Sequence, residues 1–122
     1  MSNRILVIED NEDNRQIIRD LLTNLGYELI EATDGMEGLA MARSHRPELI
    51  LMDIQLPEMD GYEATRQIRA VPELAKVPII AVTSYALSGD EAKTREAGCD
   101  GYVAKPFSPR QLLAKVREFL PE

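Results

Sequence analysis

Residues that could do chemistry follow four short apolar runs in this sequence. The placements are Glu9 and Asp10 after residues 5–8, Asp53 after 49–52, Thr83 after 77–82, and Lys105 after 101–104. Carboxylates packed together repel one another and raise each other's pKa unless a cation lies among them. Mg²⁺ suits an all-oxygen site of this kind. A carboxylate beside Mg²⁺, a lysine and a hydroxyl can act as a nucleophile toward phosphorus.

Taken singly, each of these residues has an ordinary structural explanation. An acidic residue after a strand is usually a helix cap or turn former, a threonine is a common strand residue, and a lysine is usually a solvated charge. Two other acids, Asp34 and Asp60, are interpreted in that way, as a helix N-cap and a turn residue. The placement of the acids, the hydroxyl and the lysine together at one edge of one sheet favours a functional site over these separate structural roles.

That edge depends on the fold, which the alternation of apolar runs and amphipathic segments predicts. A fifth candidate strand covers residues 28–32, between the first and second runs. Five βα repeats imply a parallel sheet with helices on both faces, joined by right-handed crossovers. We predict one α/β domain over residues 1–122, a flavodoxin-like doubly wound sheet of order 2-1-3-4-5. Strands one and three are then neighbours, and the ligand site lies outside the carboxyl ends of the strands.

Capping signals predict where the helices begin and end. Asp34, Ser88 and Ser108 each precede a glutamate or glutamine by three residues, which is typical of a capping box. The third helix is expected over residues 61–70. The first helix is expected to place five apolar residues on one face and to reach Gly26 at its C-cap. Those five residues are Ile17, Ile18, Leu21, Leu22 and Leu25.

The composition limits the classes of function. The 122-residue chain has a net charge of -7, which argues against nucleic acid as a direct partner. The apolar runs are too short for a signal peptide or a membrane span, so we expect a cytoplasmic protein. The single cysteine, Cys99, cannot form an internal disulfide. No phosphate-cradling glycine-rich motif occurs, so a phosphoryl group would have to arrive on a donor.

Four segments together resemble a known family in their order and spacing across the whole chain. They are VIEDN, LILMDIQLPEMDG, AVTSYA and GYVAKPF. They are similar to the receiver domains of two-component response regulators. Within that family, the chain looks most like small single-domain regulators of the DivK type and receivers of phosphorelays.

The resemblance implies a role for each matching residue. Asp53 would be the phosphoacceptor, with Lys105 as the invariant lysine, Thr83 as the switch hydroxyl and Tyr102 as the aromatic that turns inward on activation. Mg²⁺ would lie at the acidic pair Glu9 and Asp10, held by Asp10, Asp53 and the backbone carbonyl of Gln55. The bond between Lys105 and Pro106 is expected to be cis.

The resemblance also implies partners and an output. A sensor histidine kinase or a histidine phosphotransferase would supply the phosphoryl group. Phosphorylation would change the face formed by helix four, strand five and helix five, and a downstream protein would read that change. The only chemistry expected is self-directed phosphotransfer and autodephosphorylation at Asp53. Dimerisation through the same face stays open. The start MSNRILVIEDN favours a complete regulator over a receiver excised from a larger protein.

Two rival functions remain for comparison. A haloacid-dehalogenase-type phosphatase also uses an aspartate nucleophile with Mg²⁺, but it wants a second acid where this chain has Gln55. A pseudo-receiver would bind partners without phosphorylation. Two residues depart from those of small family members. Ser84 is larger than the residue usually found there. Tyr85 stands where family members carry varied side chains, and we hypothesise that its ring shields the acyl phosphate from water. A purely packing or partner-binding role for Tyr85 is the alternative.

Overall fold

Strands and helices alternate along the chain in the computed structural model, which describes residues 3–56, 58–83, 90–105 and 108–120. A 3-10 helix, Pro72–Leu74, follows the third α-helix. In chain order the other elements are β1 (Arg4–Ile8), α1 (Glu12–Thr23), β2 (Glu28–Ala32), α2 (Gly35–His45), β3 (Leu49–Asp53), α3 (Gly61–Arg69), β4 (Ile79–Thr83), α4 (Asp90–Ala97), β5 (Gly101–Ala104) and α5 (Pro109–Phe119).

The strands form one parallel sheet in the order β2-β1-β3-β4-β5, which confirms the predicted flavodoxin-like topology. Every residue of β3 and β4 is buried, because helices cover both faces of these central strands. No helix in the described part of the chain combines the length and apolar character needed to cross a membrane.

Alternate residues of the central strands enter two separate apolar cores. Ile5 and Val7 of β1 pack with residues of α1 and α5, whereas Leu6 and Ile8 pack with residues of α2 and α3. This division follows from the two-residue period of a strand, which sends successive side chains to opposite faces. The two cores hold the sheet, and with it the polar residues at the strand ends, in a fixed position.

Three of the five strands differ from their predicted bounds by one or two residues, and the first of these, β1, begins at Arg4 rather than Ile5. Asp53 is the last residue of β3, since it pairs with Val82 and the next backbone N–H, that of Ile54, donates to the Val82 carbonyl at 3.1 Å. Strand β4 begins at Ile79, after Pro78, which has no N–H to donate to a neighbouring strand. It includes Thr83, which pairs with Ala104.

The predicted apolar face of α1 is only partly correct. Ile18 and Leu22 are buried, but Ile17 and Leu25 are 53% and 40% exposed. Ile17 lies at the edge of the apolar face, outside the arc that the sheet covers, and Leu25 lies beyond the end of the helix at Thr23. The C-cap is Asn24 rather than Gly26, and Gly26 instead supplies a positive φ of 93° in the turn that leads to β2.

The predictions of Asp34 and Ser108 as N-caps are confirmed, but the box predicted at Asp34 is not complete, since the Glu37 side chain accepts from the Thr33 N–H instead of the Asp34 N–H. Asp34 caps α2 by accepting from the Glu37 N–H, and Ser108 and Gln111 form a full capping box on α5. Asp60, interpreted as a turn residue, also caps a helix, since its side chain accepts from the Glu63 N–H. The predictions for Ser84, Tyr85, Ser88 and Pro106 lie outside the described residues.

Candidate functional site

The register of the sheet brings Glu9 and Asp53 side by side. Ile8 pairs with Met52, so Glu9 is the first residue beyond β1 at the point where Asp53 ends β3. Both carboxylate residues are only 2% exposed, whereas Asp10 is exposed. One carboxylate oxygen from each of the three lies within 4.8 Å of the others. The sheet therefore brings together the acidic residues that the sequence predicts.

Glu9 is held through both its backbone and its side chain. Its N–H donates to the Ala32 carbonyl at 3.0 Å, and its own carbonyl accepts from Arg15 Nη1 at 2.8 Å. The Oε2 atom accepts from the Asn11 N–H at 3.2 Å, and Oε1 accepts from Lys105 Nζ at 3.0 Å. Little freedom is left to this carboxylate.

Asp53 shares Lys105 with Glu9. Lys105 Nζ lies 3.3 Å from Asp53 Oδ2, while Asp53 Oδ1 accepts from the Gln55 N–H at 2.9 Å. The loop beyond returns close to the strand end, since the Gly61 N–H donates to the Ile54 carbonyl at 2.9 Å. A Cβ on Gly61 would lie 2.4 Å from the Asp53 carbonyl oxygen, so only glycine allows this approach.

Lys105 is positioned by the neighbouring strand. Its N–H donates to the Thr83 carbonyl at 2.7 Å, which continues the pairing of β4 and β5 by one residue. Burial alone would lower the pKa of the Lys105 ammonium, but its hydrogen bond to Glu9 and the charge of Asp53 outweigh burial and raise that pKa. Lys105 is therefore a fixed positive charge between two buried carboxylates.

The local charge is nevertheless unbalanced, because three carboxylates face one lysine. The pKa of Glu9 is raised from 4.5 to about 7, mainly by burial and also by the neighbouring Asp53, although the hydrogen bond from Lys105 opposes the rise. A second cation at this edge would relieve the imbalance.

The chemistry of the donor set fits Mg²⁺. The three carboxylates offer oxygen ligands, with Asp10 on the solvent side, where a metal could keep some of its waters. Among the described residues this is the group of three or more acidic, histidine or cysteine side chains close enough to hold an ion. Gln55 lies beside Asp53 through its N–H contact, and the metal-ligand role of its backbone carbonyl stays a prediction.

The two predicted switch residues lie on adjacent strands. Thr83 is fully buried at the end of β4, and Tyr102 is half-buried on β5. Thr83 pairs with Ala104 and Ala81 pairs with Tyr102, so Thr83 and Tyr102 belong to the same face of the sheet, two residues apart in register.

Sequence reasoning missed Arg15. Its guanidinium binds the Glu9 backbone carbonyl from α1, yet in the sequence it is one charged residue among several in the polar segment 10–16. The signal that could have found it is its helical position, six residues after Glu9 and one turn into α1, which directs a long side chain back toward the strand end.

Comparison with known proteins identifies the class to which this fold and site belong. The family model for the response regulator receiver domain matches residues 5–117. The chain therefore belongs to the receiver-domain family of two-component response regulators.

Individual relatives match over nearly the full chain. The polar-differentiation response regulator DivK of Brucella anthropi is 44% identical over 120 residues, which is 98% of each chain. The receiver domain of the sensor histidine kinase PA1611 from Pseudomonas aeruginosa superposes with a TM-score of 0.91 at 39% identity over 100% of both chains, and that structure has a magnesium ion coordinated in its active-site cleft. Chemotaxis protein CheY4 of Vibrio cholerae gives a TM-score of 0.93 at 28% identity over 98% of this chain and 99% of its own.

Proposed function

We propose that this protein is a signalling receiver, one domain over residues 1–122, that accepts a phosphoryl group on Asp53 in the presence of Mg²⁺. The single observation that carries the proposal is the position of Lys105 Nζ, 3.0 Å from Glu9 and 3.3 Å from Asp53 at the carboxyl edge of the sheet. A half-buried lysine that bridges two of three clustered carboxylates is suited to a site where negative charge arrives.

The transfer itself requires few groups. A carboxylate oxygen of Asp53 attacks the phosphorus, a P–O bond forms, and the P–N bond to the donor imidazole breaks. The Lys105 ammonium stays protonated and stabilises the negative charge of the phosphoryl oxygens. Mg²⁺, held by Glu9, Asp10, Asp53 and the Gln55 carbonyl, would supply further charge neutralisation. Water attack on the acyl phosphate later releases the group and restores Asp53.

A change at Thr83 and Tyr102 would carry the signal away from the site. A phosphoryl group adds about -1.5 to -2 charges and strong acceptor oxygens, which the Thr83 hydroxyl can approach. Movement of Thr83 would open space on the sheet face that it shares with Tyr102, and an inward ring would reshape the α4-β5-α5 face. This is a two-state switch biased by local charge.

The surface beside Tyr102 offers room for a downstream protein. A cavity of about 410 Å³ lies between β5 and α5, with Tyr102, Lys115 and Glu118 in its lining. We propose that a sensor histidine kinase or histidine phosphotransferase phosphorylates the protein in the cytoplasm and that a target protein, or a second copy, binds this face afterwards. The similarity to relatives named polar-differentiation response regulators supports a signalling role.

Intact-mass spectrometry after incubation with acetyl phosphate and Mg²⁺ tests the proposal. We expect one phosphoryl adduct on the wild type, none on Asp53→Asn, and an unchanged adduct on Asp60→Asn. Asp60 is the matched control because it is an exposed aspartate whose capping role asparagine can fill. An adduct that persists in Asp53→Asn would refute the assignment of the phosphoacceptor.

The same experiment separates the rival functions. Steady phosphate release from several phosphomonoesters would favour a phosphatase, and no adduct with any phosphodonor would favour a pseudo-receiver. Light scattering with and without phosphodonor then reports whether the phosphorylated form dimerises.

A further inference from the structure

Arg15 connects α1 to the backbone of the acidic pair. Its side chain is only 10% exposed, and Nη1 donates to the Glu9 backbone carbonyl at 2.8 Å. The same guanidinium forms ion pairs with Glu31, at 3.3 Å, and with Glu12. These two ion pairs hold the guanidinium at the end of β1, where it contacts the Glu9 carbonyl.

The Glu9 carbonyl belongs to the peptide unit that joins Glu9 to Asp10. The orientation of that peptide plane sets the direction in which the Asp10 side chain leaves the chain. Glu9 is anchored on its other side by its N–H contact with Ala32 and by Lys105, whereas Asp10 is exposed in the bend between β1 and α1. The Arg15 guanidinium on the Glu9 carbonyl is therefore placed to fix the position of the Asp10 carboxylate relative to that of Glu9.

We propose that Arg15 is a positioning residue for the metal site, which acts by fixing the Glu9–Asp10 peptide plane so that the Asp10 carboxylate faces Asp53. This inference rests on the proposed function, because it concerns the carboxylates assigned to Mg²⁺. Outer partners that orient metal ligands commonly change metal affinity by about 10- to 100-fold when removed.

The chain offers a matched control in Arg19. Arg19 lies one turn further along α1 and contacts the same two carboxylates, with Nε 2.7 Å and Nη2 2.8 Å from Glu31 oxygens and Nη2 3.2 Å from Glu12. No hydrogen bond from Arg19 to the Glu9 carbonyl occurs within the described residues. Loss of Arg19 therefore disturbs the ion-pair network and leaves the contact with the acidic pair in place.

Calorimetric titration with Mg²⁺ alone tests the proposal on Arg15→Gln and Arg19→Gln. We expect the Kd for Mg²⁺ to rise about tenfold in Arg15→Gln and by less than about twofold in Arg19→Gln. In the metal-free proteins, the amide resonances of Asp10 and Asn11 should shift in Arg15→Gln and stay in place in Arg19→Gln. Arg15→Lys keeps one donor, so its Kd should fall between those of the wild type and Arg15→Gln, and it serves as the second variant if Arg15→Gln does not fold.

Equal Mg²⁺ affinities in Arg15→Gln and Arg19→Gln, whether both weakened or both unchanged, would overturn the inference while the proposed function stands. A wild-type protein that binds no Mg²⁺ would overturn the proposed function as well. Unmoved Asp10 and Asn11 resonances in Arg15→Gln would overturn the positioning role even if the metal affinity fell.

Discussion

Replacement of Glu9 by glutamine should stabilise the metal-free protein at neutral and higher pH. Burial raises the pKa of this carboxyl from 4.5 to about 7, so ionising it costs more in the folded protein than in the unfolded chain. At about 1.4 kcal/mol per pH unit, that rise corresponds to ~3 kcal/mol of lost stability once Glu9 is fully ionised. The glutamine variant never bears this charge.

The sign of the pH dependence follows from the same rise in pKa. Between about pH 4.5 and 7 the folded protein binds more protons at Glu9 than the unfolded chain does, so the contribution of Glu9 to the free energy of unfolding falls as pH rises and is constant above that window. Glutamine retains one acceptor, for Lys105, and loses the hydrogen bond from the Asn11 N–H. That loss costs about 1 kcal/mol, which leaves a net gain of ~2 kcal/mol at high pH.

Urea unfolding in EDTA at several pH values across this window measures the effect. The wild type should lose stability relative to Glu9→Gln as the pH rises, from about 1 kcal/mol more stable at the acid end to about 2 kcal/mol less stable at high pH, so the two curves should cross within the window. Glu73→Gln is the matched control, since Glu73 is an exposed carboxyl in the 3-10 helix. Saturating Mg²⁺ should stabilise the wild type more than Glu9→Gln. Parallel pH profiles of the two proteins without metal would refute the reasoning.

Two further substitutions test the supports of the fold and the site. Arg69→Met should lower the free energy of unfolding in urea by about 3 kcal/mol, because Arg69 donates to four backbone carbonyls and to Asp100. The control Arg66→Met removes an exposed arginine and should lower it far less. Equal losses of stability in the two variants would contradict this reasoning. Gly61→Ala should cost about 1–3 kcal/mol by thermal unfolding and weaken Mg²⁺ binding, since the new Cβ would press on the Asp53 carbonyl. An unchanged melting temperature and Mg²⁺ affinity in Gly61→Ala would show that the loop beside Asp53 can accommodate a Cβ at this position.

The convergence of the site could be predicted because it depends on topology alone. Five βα repeats predict a doubly wound sheet, and its flavodoxin-like order makes β1 and β3 neighbours. Glu9 and Asp53 then lie side by side because they stand at the carboxyl ends of these two strands. The sequence also predicted that Lys105 would lie at the same edge. The unequal burial of Glu9 and Asp10 was not predicted, although successive residues of an extended segment face opposite ways.

Contacts made by long charged side chains could not be predicted in the same way. Arg15 and Arg69 both look like solvated helix residues in the sequence, yet each ends on backbone carbonyls of a different element. Such contacts depend on the distance and angle between a helix and a strand end, which no periodicity encodes. The exposure of Ile17 has the same origin, since the arc of α1 that the sheet covers is a property of packing.

The register of the sheet explains why apolar runs and single polar residues follow one another so closely in this chain. Ile8 pairs with Met52, Asp53 with Val82, and Thr83 with Ala104. Neighbouring strands therefore end at nearly the same level, and the polar residue at the end of each strand lies beside the end of the next strand. A shift of one residue in any of these pairings would turn the polar side chain to the opposite face. The buried runs must therefore keep their lengths for two reasons at once, because they fill the two cores and because they set the distance from Lys105 to the carboxylates it bridges.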